Sequence, residues 1–175
     1  MFNEAVKHVL KHEGGFVHHA ADPGGATNMG ISLRFLKGVD GDLNNDGVVD
    51  VHDILEMTEE QAIELYREHF WNPAFEELQD LVASKVFDMS VNMGERRSVT
   101  ILQQSINCLR GGERVVTDGL IGPQTIEWSN RTYTPGLIQE ICRQQVKFYE
   151  SLVDKDPDLG VFLDGWKNRA RFQGK

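Results

Sequence analysis

The chain has 175 residues, of which 40% are hydrophobic, and its formal net charge is -9. This length suffices for one well-packed domain and is too short for two full ones. The acidic charge argues against nucleic acid as a partner, because phosphate binding depends on clustered Lys and Arg. No stretch approaches the roughly 18 uninterrupted apolar residues that span a bilayer, and residues 1–10 lack the apolar core of a signal peptide. We therefore expect a protein that is synthesised in soluble form, without a signal peptide or a membrane span.

Apolar residues recur at helical spacing along most of the chain, and almost no segment alternates with the period of a strand. The sequence therefore predicts a mainly α fold. The first helix carries an apolar stripe from Phe2 and stops at Gly14 and Gly15. A turn at residues 22–25 then leads to a short β element around residues 27–31.

The later helices are marked by caps and glycines. Thr58 and Gln61 have the spacing of a capping box, which opens a helix through residue 70. Further helices are expected over residues 78–93, 98–109 and 125–128 and after Pro135, with a last apolar segment at residues 162–166. Gly111 and Gly112 close the second of these.

Glu13 lies three residues after Leu10 and seven after Val6, so on a helix it continues the apolar stripe. Burial and the negative end of the helix dipole both favour the protonated form of a carboxyl group placed there. A protonated carboxylic acid is what general acid catalysis of glycosidic cleavage requires. The alternative is a frayed helix end with the side chain in solvent.

A second group of polar side chains follows within a few residues. Asp22 precedes a Pro and two Gly, and Thr27 and Asn28 come soon after. Two carboxyl groups in different environments, one dry and one in a polar loop, are the arrangement that glycoside hydrolysis uses. The alternative for Asp22 is an Asx turn that binds its own backbone.

Residues 13–16, Glu-Gly-Gly-Phe, and residues 22–31, which read DPGGATNMGI, resemble the signature of the glycoside hydrolase 108 family. This family comprises muramidases found in phage endolysins and in bacterial proteins labelled secretion activators. The resemblance implies a lysozyme-like helical fold, cleavage of the β-1,4 bond between N-acetylmuramic acid and N-acetylglucosamine, and Glu13 as the catalytic acid. A looser similarity to phage-type lysozymes implies that Asp22 and Thr27 position or activate the attacking water.

The resemblance extends to the groove and to the second half of the chain. It implies that Asn28, Trp71 and Asn92 bind substrate, although Trp71 could equally belong to the core. Residues 98–150 resemble the predicted peptidoglycan-binding domain that accompanies this family. We therefore expect a catalytic lobe at residues 1–97 and a helical peptidoglycan-binding lobe at residues 98–175, packed as one unit. The partner would be the glycan strands of peptidoglycan.

An inserted segment at residues 40–55 has the spacing of an EF-hand or dockerin-type calcium loop. Its predicted ligands, at positions 1, 3, 5, 7, 9 and 12, are Asp42, Asn44, Asp46, the carbonyl group of Val48, Asp50 and Asp53. Gly47 allows the sharp turn at position 6, and Asp replaces the usual Glu at position 12. We expect a structural Ca²⁺ ion without a part in the chemistry. The alternative is an empty, hydrated acidic loop.

Three further alternatives stay open. His8 and His12 have the spacing of zinc ligands but lack an evident third ligand, so histidines in solvent are the simpler interpretation. Cys108 and Cys142 are expected to be buried free thiols. The second function considered is a non-catalytic, calcium-bound module for peptidoglycan binding or secretion. An enzyme without an export signal would reach the wall through a holin pore or after lysis.

Overall fold

The computed structural model describes residues 1–13, 15–18 and 25–171. The predicted mainly helical fold is confirmed. The α-helices are α1 (Phe2–His12), α2 (Leu33–Gly38), α3 (Val51–Glu56), α4 (Glu59–His69), α5 (Asp80–Met93), α6 (Glu95–Arg110), α7 (Pro123–Thr132), α8 (Pro135–Lys155) and α9 (Leu163–Ala170). Short 3-10 helices cover Pro73–Glu77 and Pro157–Phe162. In the part of the chain that the structure describes, no helix is long and apolar enough to cross a membrane.

The chain divides into two compact units, one formed by Val6–His69 and the other by Met1–Ala5 together with Phe70–Lys175. The first unit contains an antiparallel sheet of β1 (Val17–His18), β2 (Ala26–Asn28) and β3 (Ile31–Ser32). The short β element expected at residues 27–31 is therefore present, and it belongs to a hairpin. Buried apolar side chains from the helices and strands form the core of this unit: Val6, Val9, Ala26, Ile31, Leu36, Ile54, Ala62 and Leu65.

The β2–β3 hairpin has a two-residue turn made by Met29 and Gly30. Asn28 pairs with Ile31, and the φ angles of the two turn residues are 47° and 78°. Positive φ at both central residues is typical of a type I′ turn, whose twist matches that of the flanking strands. Such a turn favours glycine, and glycine occupies its second position.

Helix α4 begins with the predicted capping box. The Thr58 backbone N–H donates to Gln61 Oε1 at 2.9 Å, and the Gln61 N–H donates to Thr58 Oγ1 at 3.2 Å. These bonds satisfy backbone donors that a helix start otherwise leaves unpaired. The side chain of Gln61 also donates to the carbonyl group of Leu43 at 3.0 Å, which attaches the loop before α3 to α4.

In the second unit, α5 packs against α6, and α6 packs against α7 and α8. Gly111, with a φ of 65°, ends α6 in the left-handed conformation as the glycine pair predicted. Helix α7 is longer than the expected residues 125–128. The helix starts at Pro123, two residues before the expected start. At its other end, the buried hydroxyl side chains of Ser129 and Thr132 extend its inward face.

Cys108 and Cys142 do not form a disulfide bond. Cys142 is half-buried, and Cys108 is exposed, so the prediction of burial was wrong for Cys108. Its position on the last turn of α6 explains the difference, because Cys108 is followed by residues that all face solvent up to residue 114.

Candidate functional site

Glu13 lies directly after the last residue of α1. Its backbone N–H donates to the carbonyl group of Val9 at 3.0 Å, so the residue closes the final helical hydrogen bond. Phe2, Val6 and Val9 of the same stripe are fully buried, and the Glu13 side chain is half-buried. The helix therefore holds the carboxyl group at the edge of the apolar face, as the spacing predicted, instead of releasing it into solvent.

The Glu13 side chain lies against the tip of the β2–β3 hairpin. A Cβ atom added to Gly30 would lie 2.7 Å from Cγ and 2.8 Å from Cδ of Glu13, and it would also collide with the hydroxyl group of Tyr66. The carboxyl group and the phenol thus meet at the one residue of the turn that has no side chain. Glycine is needed at position 30 for its positive φ and for this close approach.

Tyr66 connects the hairpin tip to α4. Its side chain is fully buried, and its hydroxyl group donates to the carbonyl group of Met29 at 2.9 Å. A buried phenol that keeps a hydrogen-bond partner is stable in an apolar setting. This bond fixes the Met29–Gly30 turn beside Glu13, so that three separate parts of the sequence form one wall of the site.

Thr27 and Asn28 lie in β2, immediately before that turn, and both side chains are half-buried. Thr27 pairs with Val17 and with Ser32 across the sheet. Asn28 donates from Nδ2 to the carbonyl group of Ile54 at 3.0 Å, which joins β2 to α3 and leaves its Oδ1 as an acceptor. Asp22 lies outside the described residues.

Trp71 and Asn92 belong to the other unit. Trp71 exposes only 9% of its surface and packs edge to face on Phe2, Phe75 and Phe87, with centroid distances of 5.3, 5.4 and 5.1 Å. Asn92 is exposed, and its Oδ1 accepts a hydrogen bond of 2.6 Å from the Tyr149 hydroxyl. Both side chains therefore have a structural role, and their part in substrate binding stays a prediction.

In the acidic loop, carboxylate and amide oxygens accept hydrogen bonds from the backbone of the loop itself. Asp42 accepts from the N–H groups of Asp46 and Gly47 at 3.2 and 2.9 Å, and Asn44 accepts from Asp46 at 3.0 Å. Asp46 accepts from Val48 at 2.9 Å. The left-handed conformations of Asn45 and Gly47, with φ of 61° and 89°, make the loop compact.

The last two acidic residues of the loop cap α3. Asp50 accepts from the His52 N–H at 2.7 Å, which is the main reason that the pKa of Asp50 lies below its ordinary value. Asp53 is fully buried and accepts from the N–H groups of Leu43 and Asn44, at 2.8 and 3.2 Å, and of Asp50, at 2.8 Å. Both Asp53 oxygens are thus hydrogen-bonded to backbone: Oδ1 accepts two bonds, and Oδ2 accepts one and keeps a further lone pair.

Metal coordination was predicted for this loop and considered for His8 and His12. The His12 side chain lies outside the part that the structure describes, and among the described side chains no group of three or more His, Cys, Asp or Glu is arranged to hold a metal ion. The donor set of the loop is nevertheless of the oxygen type that Ca²⁺ prefers. Calcium binding stays a prediction, because the loop oxygens point to backbone N–H groups in this arrangement.

Sequence reasoning missed the Gly30–Tyr66 contact as a part of the site. The signal was present in two pieces: a glycine after a strand-like segment, and a tyrosine on the apolar side of α4. Nothing local connects the two, since they are 36 residues apart in the chain.

Comparison with known proteins adds independent findings. Residues 6–94 match the family model described as Glycosyl hydrolase 108, and residues 97–171 match the model described as Predicted Peptidoglycan domain. The fold is similar to that of SagA from Brucella abortus, with a TM-score of 0.70 and 28% sequence identity. That match covers 99% of this chain and 95% of SagA. No curated protein matches the sequence significantly.

Proposed function

We propose that this chain, which belongs to the glycosyl hydrolase 108 family, is an N-acetylmuramidase that cleaves peptidoglycan glycan strands. The observation that carries the proposal is the position of the Glu13 carboxyl group, half-buried at the end of α1 and set against Gly30 and Tyr66. The match of residues 97–171 to a peptidoglycan domain supports peptidoglycan as the partner.

In the proposed reaction, Glu13 donates a proton to the glycosidic oxygen between N-acetylmuramic acid and N-acetylglucosamine. The bond from this oxygen to the anomeric carbon breaks, and its electron pair stays on the leaving oxygen. Water then forms a bond to the anomeric carbon and releases a proton, which leaves a hydroxyl group there. Asp22 and Thr27 are proposed to position that water. The small size of Gly30 leaves the Glu13 carboxyl group room beside the hairpin tip, and Tyr66 holds the tip in place.

We propose that catalysis and peptidoglycan binding belong to two lobes that are consecutive in the sequence. Residues 1–97 form the catalytic lobe, and residues 98–175 form the lobe that holds the peptidoglycan. Asn28 is proposed to bind substrate through its acceptor Oδ1, and Trp71 and Asn92 are each proposed to contribute a substrate contact beyond their packing roles.

Exchange of Glu13 for glutamine tests the catalytic assignment. Glu13→Gln keeps the size of the side chain and removes the proton donor, so we expect release of reducing ends from purified cell walls to fall by a factor of about a hundred or more. Glu60→Gln is the matched control, since Glu60 is an exposed residue of α4 and loses the same charge. Equal rates for Glu13→Gln and the control would refute the role of Glu13 as acid.

The products identify the bond that is cut. After borohydride reduction, mass spectrometry should find reduced N-acetylmuramic acid at the new chain ends. Reduced N-acetylglucosamine would instead indicate a glucosaminidase. Binding to walls without any new reducing end from the unmodified protein would favour the non-catalytic binding module.

We also propose that the acidic loop binds a structural Ca²⁺ ion. The proposed ligands are Asp42, Asn44, Asp46, the Val48 carbonyl group, Asp50 and Asp53. Support comes from the twelve-residue spacing, from Gly47 at the turn, and from the start of α3 at Val51 within the loop, as in an EF-hand. A bound cation would offset the mutual repulsion of four carboxylates in one short loop.

Calorimetry on the EDTA-treated protein tests this proposal. We expect binding of one Ca²⁺ ion per chain and a rise in the thermal midpoint, because a ligand that binds only the folded state stabilises it. Asp42→Asn combined with Asp46→Asn should abolish both effects, whereas the exposed pair Glu59→Gln and Glu60→Gln should leave them intact. Absence of calcium binding by the unmodified protein would refute the site.

A further inference from the structure

A concave pocket lies at the start of α6, in the unit that contains residues 70–171. Its volume is about 410 Å³, which falls in the usual range for ligand pockets. The lining residues are Met93, Gly94, Arg96, Arg97, Thr100 and Phe148. None of these residues belongs to the site around Glu13.

The charge of this pocket is opposite to that of the protein. The chain carries a formal net charge of -9, yet the lining contains two arginines and no Asp or Glu. Among the described residues, no hydrogen bond or ion pair involves the guanidinium group of Arg96 or Arg97. The neighbouring Glu95 is not part of the lining, and one of its carboxylate oxygens accepts a hydrogen bond of 2.8 Å from Asn72.

The Phe148 ring lies beside Arg97, and the loop that contains Asp118 and Gly119 lies beside Arg96. The guanidinium carbon of Arg97 lies 4.8 Å from the centroid of the Phe148 ring, so the ring supports the planar group from one face. Arg96 is held near the Asp118 loop. Hydrogen bonds from the Leu120 N–H and from Gln103 lower the pKa of Asp118, and the charge of Arg96 lowers it further.

The two guanidinium groups are the groups of the lining that attract an anion. Gly94 caps the start of α6 and also ends α5, so the positive end of one helix dipole and the negative end of the other meet beside the pocket. The Thr100 hydroxyl donates to the Arg96 carbonyl group at 2.8 Å, so its proton is used within the helix.

We propose that this pocket binds a carboxylate of the peptide stems of peptidoglycan. A guanidinium group matches the planar, bidentate geometry of a carboxylate, and in intact peptidoglycan the stem peptides carry the carboxylates. This pocket proposal rests on the proposed function in one respect, namely that peptidoglycan is the partner. The pocket would favour glycan strands that keep their stems over strands that have lost them.

Binding of a soluble stem peptide, which contains no glycosidic bond, tests the proposal without any cleavage. We expect Arg96→Gln combined with Arg97→Gln to weaken binding of this peptide by about tenfold or more. Binding to the unmodified protein should also weaken as salt is raised, since both arginines are exposed. Because both positions are exposed, we expect the double variant to stay folded, with only the small loss of stability that removal of the Arg97–Phe148 contact causes.

Two further variants make the test specific. Arg114→Gln with Arg131→Gln removes the same charge from the arginines that lie near Trp128, at 5.8 and 5.6 Å from its ring, and should leave stem-peptide binding intact. Arg96→Lys with Arg97→Lys keeps the positive charge and removes the planar, forked donors of the guanidinium groups. This variant should bind the stem peptide at an intermediate level. Equal losses for the Arg96–Arg97 pair and the Arg114–Arg131 pair would overturn the proposal.

Two other probes distinguish binding of a stem carboxylate from binding of the glycan and from general anion binding. Oligomers of N-acetylglucosamine, which carry neither a stem nor a carboxylate, should bind equally well to the unmodified protein and to the Arg96–Arg97 variant. Competition by inorganic phosphate as effective as that by the stem peptide would show a general anion site and overturn the assignment to stems. Failure of the muramidase proposal would appear separately, as intact walls with no new reducing ends.

Discussion

Gly30 is the residue at which three distant parts of the chain meet: the end of α1, the hairpin tip and α4. Its φ of 78° already disfavours a larger residue, and the adjacent Glu13 and Tyr66 side chains fill the space that a Cβ would need. An added methyl group would have to displace either the carboxyl group or the phenol. The position of Glu13 therefore depends on the absence of a side chain at residue 30.

Gly30→Ala should lower both stability and wall hydrolysis. We expect a loss of about 2–4 kcal/mol in the free energy of unfolding, from left-handed strain together with overpacking. Gly111→Ala is the matched control, because Gly111 has a φ of 65° and nothing within 4 Å of an added Cβ.

The control should lose about 1 kcal/mol from strain alone and keep its activity. Urea unfolding and release of reducing ends measure the two effects. Equal losses of stability and activity in both variants would show that the close contact at Gly30 has no special effect.

At the scale of single elements, hydrogen bonds between neighbouring residues of α8 determine the pKa of a buried carboxyl group. Glu140 in the first half of α8 is buried, and it accepts from Arg143 at 2.5 Å and from Gln144 at 2.7 Å. Burial raises the pKa of Glu140, but the hydrogen bonds from Arg143 and Gln144 outweigh it, so that the pKa lies below the ordinary value of 4.5. The ionised form is thus favoured by folding.

Glu140→Gln should remove a contribution to stability that depends on pH. Because the folded pKa is lowered, that contribution is complete above pH 4.5 and is lost as the pH falls through the folded value. We expect the variant to be less stable than the unmodified protein by ~1 kcal/mol at neutral pH, with the gap closing in acid.

Chemical unfolding at a series of pH values measures this gap. The exposed Glu127, which pairs with Arg131 at 2.8 Å, provides the control Glu127→Gln, for which we expect a smaller change. A gap for Glu140→Gln that is constant from neutral to acid pH would contradict the assignment.

At the scale of the whole molecule, buried charges attach the last helix to the middle of the chain. Lys85 of α5 is fully buried and donates to the carbonyl group of Ala170 at 2.8 Å. Arg169 pairs with the buried carboxylate of Asp88 at 3.0 Å. Both contacts join residues more than 80 positions apart, and the Lys85 bond satisfies a carbonyl group at the end of α9, where backbone carbonyl groups lack helical partners.

Lys85→Met should destabilise the protein by about 1–3 kcal/mol, because the Ala170 carbonyl group loses its donor while buried. Burial lowers the pKa of Lys85 below its ordinary value of 10.5. The unfolded chain therefore binds more protons, and this residue adds stability as the pH rises toward 10.5.

We expect the difference between the unmodified protein and Lys85→Met to be larger at about pH 9 than at neutral pH. Lys147→Met, at an exposed position of α8, is the control and should show neither the loss nor the pH dependence. A Lys85→Met protein as stable as the control at both pH values would refute the role of the buried ammonium group.

Much of the fold could be predicted from the sequence, because helix signals act over a few residues. The capping box of Thr58 and Gln61, the glycine stop at Gly111 and the apolar stripe that ends at Glu13 all depend on neighbours within one or two helical turns. The position of α7 was predicted less well. Its inward face is completed by the hydroxyl groups of Ser129 and Thr132, which carry no hydrophobic signal.

The candidate site could be predicted only in part. The sequence by itself determined that a glutamate ends an apolar helix and that a glycine turn follows it. Only the tertiary structure decided that Glu13 lies against Gly30 and Tyr66, that the Asn28 amide is held by Ile54, and that Trp71 packs within an aromatic core.

The pocket beside Arg96 and Arg97 also depends on tertiary structure, since Phe148 comes from α8. The physical reason is common to all these cases. Periodicity and capping are local interactions, whereas contacts between residues dozens of positions apart depend on how the complete chain packs its apolar surface.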